Sequence, residues 1–165
     1  MNEAVFDSIR ERLGDTALEA AVAHGTLALR VEPADVVAVA RALKDEFAFD
    51  LLLDVTAVDW PEREPRFDVV WHWYSTRHFV RVRVKTRVGI ADPTVDTLTT
   101  LHGSAGIMER ECHDMYGIAF RGNADLRPIL LYEGFEGHPL RKDYPKEREQ
   151  PLVPYRPGWS IEERG

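Results

Sequence analysis

Two runs of alternating residues, 67–74 and 80–87, constrain the fold of this chain more than any other feature. Apolar side chains occupy every second position of both runs: Phe67, Val69, Trp71, Trp73, Val80, Val82 and Val84. A period of two indicates a strand with one buried face, so the runs predict a β-hairpin. Its other face carries a row of cations: Arg81, Arg83, Lys85 and Arg87. That face is interpreted as solvated and partly neutralised by Asp68, with an acidic partner surface as the alternative.

The remaining pattern predicts an α+β fold in which two N-terminal helices pack on a mixed sheet of about four strands. Helical spacing predicts helices over 3–23 and 36–47, and shorter apolar runs predict strands over 26–31 and 49–58. A short helix is predicted over 94–101, then a helix N-capped by Ser104 that ends at Gly117. One more short element is expected over 129–132.

The chain is predicted to divide into a globular domain, residues 1–138, and an extended arm, residues 139–165. The arm holds five of the ten prolines of the chain, and proline disfavours helices and central strands. The arm is therefore expected to lie in solvent or along another protein.

Composition excludes several classes of function. A net charge of −7 disfavours nucleic acid as the main ligand. The single cysteine, Cys112, excludes an internal disulfide and cannot alone hold an iron–sulfur cluster. The N-terminus lacks the apolar stretch of a signal peptide, and no window reaches the roughly 18 apolar residues of a membrane span. Membrane association is thus expected only through a partner.

Residues 109–116 form a charged block on the predicted third helix. Helical spacing pairs Glu109 with His113 and Arg110 with Asp114. Three chemical alternatives exist: a thiolate nucleophile at Cys112 beside His113, a metal site that adds Glu109 and His138, and acid–base catalysis by Glu109 or Glu111. Adjacent helical residues diverge and no ligand spacing is recognised. A structural or interfacial charge network is therefore preferred.

A second block, residues 134–145, is expected to form a rigid surface loop or a docking segment. Gly134 and Gly137 bracket Phe135 and Glu136, which indicates backbone conformations that other residues resist. His138 precedes a proline and should be extended. Arg141, Lys142 and Asp143 would then project to alternate sides. No glycine-rich phosphate loop is present, because Gly103–Gly106 is too short and follows no predicted strand.

These two blocks resemble the 30 kDa subunit, or C component, of proton-translocating NADH:quinone oxidoreductase, respiratory complex I. The resemblance rests on Glu109-Arg110-Glu111-Cys112-His113-Asp114-Met115-Tyr116, on Asp125-Leu126-Arg127-Pro128-Ile129-Leu130, and on Gly137-His138-Pro139-Leu140-Arg141-Lys142-Asp143-Tyr144-Pro145. Asn123 stands where members of the family usually have a basic residue, so the resemblance implies no role for Asn123.

The resemblance implies a non-redox subunit of the hydrophilic arm, on the cytoplasmic face of the bacterial inner membrane. Such a subunit docks on the D component of the complex, which helps form the quinone pocket. FMN, iron–sulfur clusters, NADH and quinone would be carried by other subunits, and this chain would have no catalytic, cofactor or metal residues. The expected interface or structural residues are Glu109, Arg110, Glu111, Asp114, Tyr116, Arg127, Glu136, His138, Pro139, Arg141, Lys142 and Asp143.

Two alternatives stay open. One is the equivalent subunit of a related membrane-bound hydrogenase, a ferredoxin- or F420-linked complex, or a photosynthetic complex. The other is a small stand-alone metal enzyme or hydrolase built on Cys112 and His113.

Overall fold

A mixed five-stranded sheet forms the centre of the protein, whose computed structural model describes residues 2–147. Its strands are β1 (Glu19–Ala23), β2 (Thr26–Arg30), β3 (Leu51–Asp59), β4 (Phe67–Ser75) and β5 (Val80–Val88), in the order β1-β2-β5-β4-β3. Within this sheet, β2 and β5 pair in parallel and the other neighbouring strands pair antiparallel. Two short strands, β6 (Thr94–Asp96) and β7 (Ala119–Arg121), form a separate parallel pair.

Three α-helices accompany the sheet: α1 (Asn2–Leu13), α2 (Val36–Asp45) and α3 (Ala105–Tyr116). A short 3₁₀ turn follows α1 at Gly14–Thr16, and another precedes α2 at Pro33–Asp35. None of the described helices has the length and apolar character that crossing a membrane requires. The predicted α+β class is confirmed, with five strands in the main sheet instead of about four.

The predicted hairpin is confirmed as β4 and β5, which pair antiparallel from Phe67 opposite Val88 to Ser75 opposite Val80. The indoles of Trp71 and Trp73 are fully buried on the core side, together with apolar side chains of α1 and α2. Trp73 Nε1 lies 3.2 Å from Nε2 of the buried His102. Burial of each such aromatic side chain stabilises the fold by roughly 1.5–3 kcal/mol.

The prediction of one helix over 3–23 is wrong. The helix ends at Leu13, Gly14 adopts a φ of +48°, and residues 19–23 form β1, an edge strand exposed along its whole length. A tight turn at His24 and Gly25, with φ values of 50° and 73°, folds β1 back onto β2. Pairing with β2 therefore overrides the helix preference of the alanine-rich segment.

Two other elements also differ from prediction. The segment 94–101 contains β6 and a turn instead of a helix, because Thr94–Asp96 pairs with β7. Residues 129–132 form no helix or strand. Ser104 precedes α3 as expected, but its hydroxyl donates to the carbonyl of Leu52 and accepts no hydrogen bond from the N–H groups of the first helical turn. Gly117 ends α3 with a left-handed φ of 73°, as predicted.

Candidate interaction site around the end of α3

The charged block lies on α3, and the chain that follows it folds back around the end of this helix. Two carboxylates of the block are buried, Glu109 with 0% and Asp114 with 4% of its surface exposed. Burying a carboxylate is unfavourable unless donors surround it. The partners of these two groups therefore define what the block does.

Glu109 binds the segment between β6 and α3. Its carboxylate accepts hydrogen bonds from the Thr97 hydroxyl at 2.6 Å and from the Leu98 backbone N–H at 2.8 Å. Asn123 Nδ2 donates a third bond at 2.9 Å. Burial raises the pKa of Glu109, although these donors oppose the shift. The predicted pair with His113 is wrong, because buried donors outside the helix take both carboxylate oxygens.

Asp114 holds the loop after β7. Its Oδ2 accepts hydrogen bonds from the backbone N–H groups of Ile129, Leu130 and Leu131 at 2.8, 2.9 and 3.3 Å. Burial acts to raise the pKa of Asp114, but the donors lower it below its ordinary value.

The predicted pairing of Arg110 with Asp114 is also wrong. The Arg110 guanidinium donates to the backbone carbonyls of Arg127 and Pro128 at 2.8 and 2.9 Å. Arg110 and Asp114 thus bind consecutive parts of one loop, the first through carbonyls and the second through N–H groups.

The second block caps the C-terminus of α3. The last carbonyl groups of a helix lack partners within the helix, and here residues 138–141 supply them. A ring nitrogen of His138 lies 2.9 Å from the carbonyl oxygen of Asp114, and the Leu140 N–H donates to Met115 over 3.1 Å. Arg141 Nε donates to the carbonyl of Tyr116 over 2.6 Å. The Arg141 cation also complements the negative end of the helix dipole.

This capping changes the expected geometry of the block. Hydrogen bonds from Arg141 N to His138 O and from Tyr144 N to Arg141 O, both 3.1 Å long, make consecutive turns. The extended, alternating arrangement predicted for residues 141–143 is therefore wrong. Gly134 and Gly137 have φ values of 90° and 94°, which confirms the glycine-dependent backbone predicted on either side of Phe135 and Glu136.

A buried ion pair anchors the same block to the main sheet. Arg66 binds Asp59 through two hydrogen bonds of 2.7 and 2.8 Å, and the guanidinium also binds Asp143 at 2.8 Å. The backbone N–H of Lys142 donates to Asp59 over 2.7 Å. The hydrogen bond from Arg66 is the largest cause of the lowered pKa of Asp59.

Sequence reasoning did not identify Asp59 and Arg66 as site residues. The available signal was an acid at the end of one predicted strand and a base just before the next, which a hairpin brings together. Residues 139–147 belong to the predicted arm, and their first part packs on the body of the protein. Residues 148–165 of that arm lie outside the described residues.

The other predicted site residues differ in exposure. Glu111, Arg127, Glu136 and the side chain of Lys142 are exposed, while Tyr116 and Pro139 are half-buried. Arg127 forms a two-point contact with Asp125 at 2.8 and 2.9 Å. Burial raises the pKa of Tyr116. A role for these residues at an interface stays a prediction.

Apolar side chains are exposed along the loop that these contacts shape. Leu130 is 61% exposed, Leu140 48%, Ile129 37% and Tyr132 36%. Beside them lies an open cavity of about 170 Å³, lined in part by His113, Leu131, Tyr132, Phe135 and His138. Apolar side chains exposed along one segment make it a candidate contact surface.

The chemical alternatives find little support in the geometry. Cys112 is buried, and burial strongly raises the pKa of its thiol, so the nucleophilic thiolate is disfavoured. Between residues 2 and 147, no group of three or more His, Cys, Asp or Glu side chains is arranged to hold a metal ion.

Comparison with known proteins decides the family. The model of the respiratory-chain NADH dehydrogenase 30 kDa subunit matches residues 29–150. The chain belongs to this family. It is 46% identical over 145 residues to the C component of NADH-quinone oxidoreductase from Methylobacterium sp. (strain 4-46), covering 87% of this chain and 67% of that protein. With the corresponding protein of Agrobacterium fabrum it shares 45% identity over 150 residues, which covers 88% and 74%.

Solved structures agree with this family assignment. A trypsin-resistant fragment of Nqo5 superposes with a TM-score of 0.64 at 28% identity, covering 76% of this chain and all of the fragment (100%). A chain of the membrane-bound sulfane sulfur reductase, described as an archaeal respiratory membrane complex, superposes with a TM-score of 0.77 at 29% identity. That match covers 88% of this chain and 86% of the other.

Proposed function

We propose that this 30 kDa-family protein is a non-redox structural subunit of the peripheral arm of NADH:quinone oxidoreductase that docks on the D component near the quinone site. It would support electron transfer from NADH to quinone, and the coupled proton translocation, by holding neighbouring subunits in place. FMN, the iron–sulfur clusters, NADH and quinone would bind other subunits. The assembly would place it on the cytoplasmic face of the bacterial inner membrane.

The observation that carries this proposal is that the family motifs bind backbone atoms of the chain itself. Glu109, Asp114 and Arg141 are engaged by N–H groups or carbonyls. Side chains engaged in this way hold the surrounding chain in place. They fix the path of residues 126–141.

The exposed leucines on that path supply the proposed contact. Leu130 and Leu140 lie beside charged groups whose hydrogen bonds are already made. Interfaces combine an apolar centre with a satisfied polar rim, and a few central side chains provide most of the binding energy. A loop held by these hydrogen bonds and carrying exposed leucines is suited to permanent contact with another protein.

The test is Leu140→Glu in the full chain, measured as co-purification with the D component from membranes. The Leu140 side chain is half-exposed and only its backbone N–H binds α3, so the isolated chain should keep its thermal midpoint. Burial of an unpaired charge at an interface is strongly unfavourable, and recovery of the D component should fall about tenfold or more.

Phe79→Glu is the matched control. Phe79 is 75% exposed at the turn between β4 and β5, at the opposite end of those strands from Arg66 and about 25–30 Å away by strand rise. Unchanged recovery of the D component with Leu140→Glu, or an equal loss with Phe79→Glu, would contradict docking through this loop.

A second candidate is the equivalent subunit of a related respiratory membrane complex, which the superposition on the sulfane sulfur reductase chain favours. The two functions differ in the electron donor of the assembled complex. NADH-dependent quinone reduction by the purified assembly supports the first, whereas reduction by another donor without NADH activity supports the second.

A further inference from the structure

The face of the main sheet that points away from α1 and α2 carries a basic row. We define this basic row as Arg81, Arg83 and Lys85, which alternate on β5 with the buried valines at 80, 82 and 84. Arg81 and Arg83 are exposed and Lys85 is half-exposed. The row therefore stands on the open side of the sheet.

The position of the row distinguishes it from ordinary surface charge. Cations are commonly placed on edge strands, where they discourage pairing with other chains. β5 is instead the middle strand of the five. A row at the centre of a sheet face has no such protective role, and it faces whatever covers the sheet.

Two carboxylates on this face pair with cations outside the row, although Lys85 also attracts Glu19. Glu19 binds Arg30 at 2.7 Å, and Asp68 lies 3.5 Å from Arg87. On β4 the neighbours of the row are Tyr74, His72 and Val70, and Asp54 of β3 lies next to His72. On β2 the neighbours of the row are Thr26, Ala28 and Arg30. Within residues 2–147, none of the three cations has an ion pair, although Arg81 lies 5.9 Å above the Tyr74 ring.

We propose that the basic row is a second docking surface of this protein, which binds an acidic polypeptide segment of a neighbouring protein in the complex. Charge complementarity identifies the occupant. Alternate residues of a strand are about 6.6–6.8 Å apart, and carboxylates four residues apart on a helix are separated by about 6 Å along its axis. A helix with Asp or Glu at every fourth position therefore matches the row closely.

Other anionic occupants fit less well. Binding to nucleic acid needs a basic surplus over a larger footprint, whereas this chain has a net charge of −7. Binding to an anionic membrane typically uses clusters of about four to eight Lys or Arg. A row of three cations on an acidic protein suits a local contact with carboxylates.

Arginine footprinting of the purified native complex tests the proposal. Phenylglyoxal should modify Arg81 and Arg83 about tenfold more slowly in the complex than in the isolated chain, because a docked segment excludes the reagent. Arg41 is the internal control, since it is exposed on α2, on the other side of the sheet. Equal rates for Arg83 in the two samples overturn the proposal.

A photo-crosslinker at position 83 of the assembled complex then identifies the occupant. A crosslink to a protein segment rich in Asp and Glu supports the proposal, whereas a crosslink to lipid, to nucleic acid or to a segment without carboxylates overturns it. Arg83→Glu should lower the recovery of the crosslinked protein about tenfold, and Lys in place of the crosslinked carboxylate should restore it. An equal loss with Arg41→Glu, or no restoration, counts against the proposal.

This surface is independent of docking on the D component through Leu140. Protection of Arg81 and Arg83 is measured in whichever complex the chain purifies with. Failure of either contact therefore leaves the other test intact.

Discussion

The backbone N–H of Lys142 donates a 2.7 Å hydrogen bond to Oδ2 of Asp59, which joins residues 83 positions apart in the chain. Asp59 ends β3, and Lys142 lies in the turns that cap α3. The same carboxylate binds Arg66, which extends the network to Asp143. One buried carboxylate thus links the main sheet to the segment that shapes the candidate interaction site.

Asp59→Ala is expected to destabilise the protein far more than Asp143→Ala. The first change leaves the buried Arg66 guanidinium without its two-point partner, which costs about 3–5 kcal/mol. The Asp143 side chain is 57% exposed, so its removal should cost at most about 1 kcal/mol. Urea unfolding of the two variants measures the difference, and equal losses would show that the network does not depend on Asp59.

The Asp59 network should also weaken in acid. The pKa of Asp59 in the folded protein is lower than its ordinary value of 3.8. Its stabilisation is therefore present above that value and is lost as the pH falls through the folded pKa. Unfolding free energies measured from pH 6 downward should decline less for Asp59→Ala than for the unaltered protein.

Gly117→Ala is expected to disrupt the cap of α3. A Cβ at this position would lie 2.5 Å from His138 Nε2 and even closer to an Arg141 nitrogen, and φ is +73°. Gly25 has the same φ, and a Cβ there would meet no atom within 4 Å, so Gly25→Ala is the matched control. Both changes should cost about 1–2 kcal/mol from backbone strain.

Gly117→Ala should lose more stability than Gly25→Ala, because its new methyl group also displaces residues 138–141. Thermal melts of both variants report it directly. Equal midpoints for the two variants would mean that the capping segment moves away without loss of stability.

Asp114→Asn should loosen the loop that Asp114 holds. Hydrogen bonds to a charged acceptor contribute about 1.5–3 kcal/mol, and three backbone donors share this carboxylate. Amide hydrogen exchange at residues 129–131 should accelerate in the variant. Glu111→Gln removes the same charge from an exposed position of α3 and should leave these amides unchanged. If amide exchange at residues 129–131 were the same in Asp114→Asn and the unaltered protein, contacts other than those of Asp114 would hold the loop.

The sequence predicted the parts of the fold that depend on local pattern. Alternation identified β4 and β5, and Gly117 marked the end of α3, because both features follow from neighbouring residues. The extent of the first helix was mispredicted because β1 exists only through pairing with β2. The alanines of this segment favour a helix when only neighbouring residues are considered, and the pairing that overrides them is not local.

In the candidate site, too, local sequence pattern did not predict the contacts between distant parts of the chain. Helical spacing correctly placed Glu109, Arg110 and Asp114 on one helix, but it paired them with side chains of that same helix. Their actual partners include backbone groups of residues 98 and 127–131. Those contacts depend on how the loop returns to the helix, which spacing along the chain does not encode.

Glu109→Gln should change how stability depends on pH. Burial raises the pKa of Glu109 above its ordinary value of 4.5. A group with a raised folded pKa contributes stability below its ordinary pKa, and this contribution is lost as the pH rises through the folded value. Glutamine does not titrate, so the variant lacks this decline of stability with pH. Its side-chain amide faces the amide donor of Asn123, which should destabilise the fold by about 1–3 kcal/mol.

The difference in unfolding free energy between the unaltered protein and Glu109→Gln should therefore be largest in acid and should shrink toward neutral pH. Urea unfolding at a series of pH values measures it. A difference that is constant with pH would show that Glu109 does not titrate differently in the folded and unfolded states.

Glu111→Lys is expected to impair assembly more than Glu11→Lys. Both glutamates are exposed on helices, Glu111 on α3 beside the candidate interaction site and Glu11 on α1. Neither is expected to alter the stability of the isolated chain by more than about 0.5 kcal/mol. Juxtaposed like charges at an interface cost several kcal/mol, so the complex content of membranes should fall about tenfold or more with Glu111→Lys alone. NADH-dependent quinone reduction, normalised to total membrane protein, measures the difference. Equal activity of the two variants would place Glu111 on a solvated surface of the assembled complex.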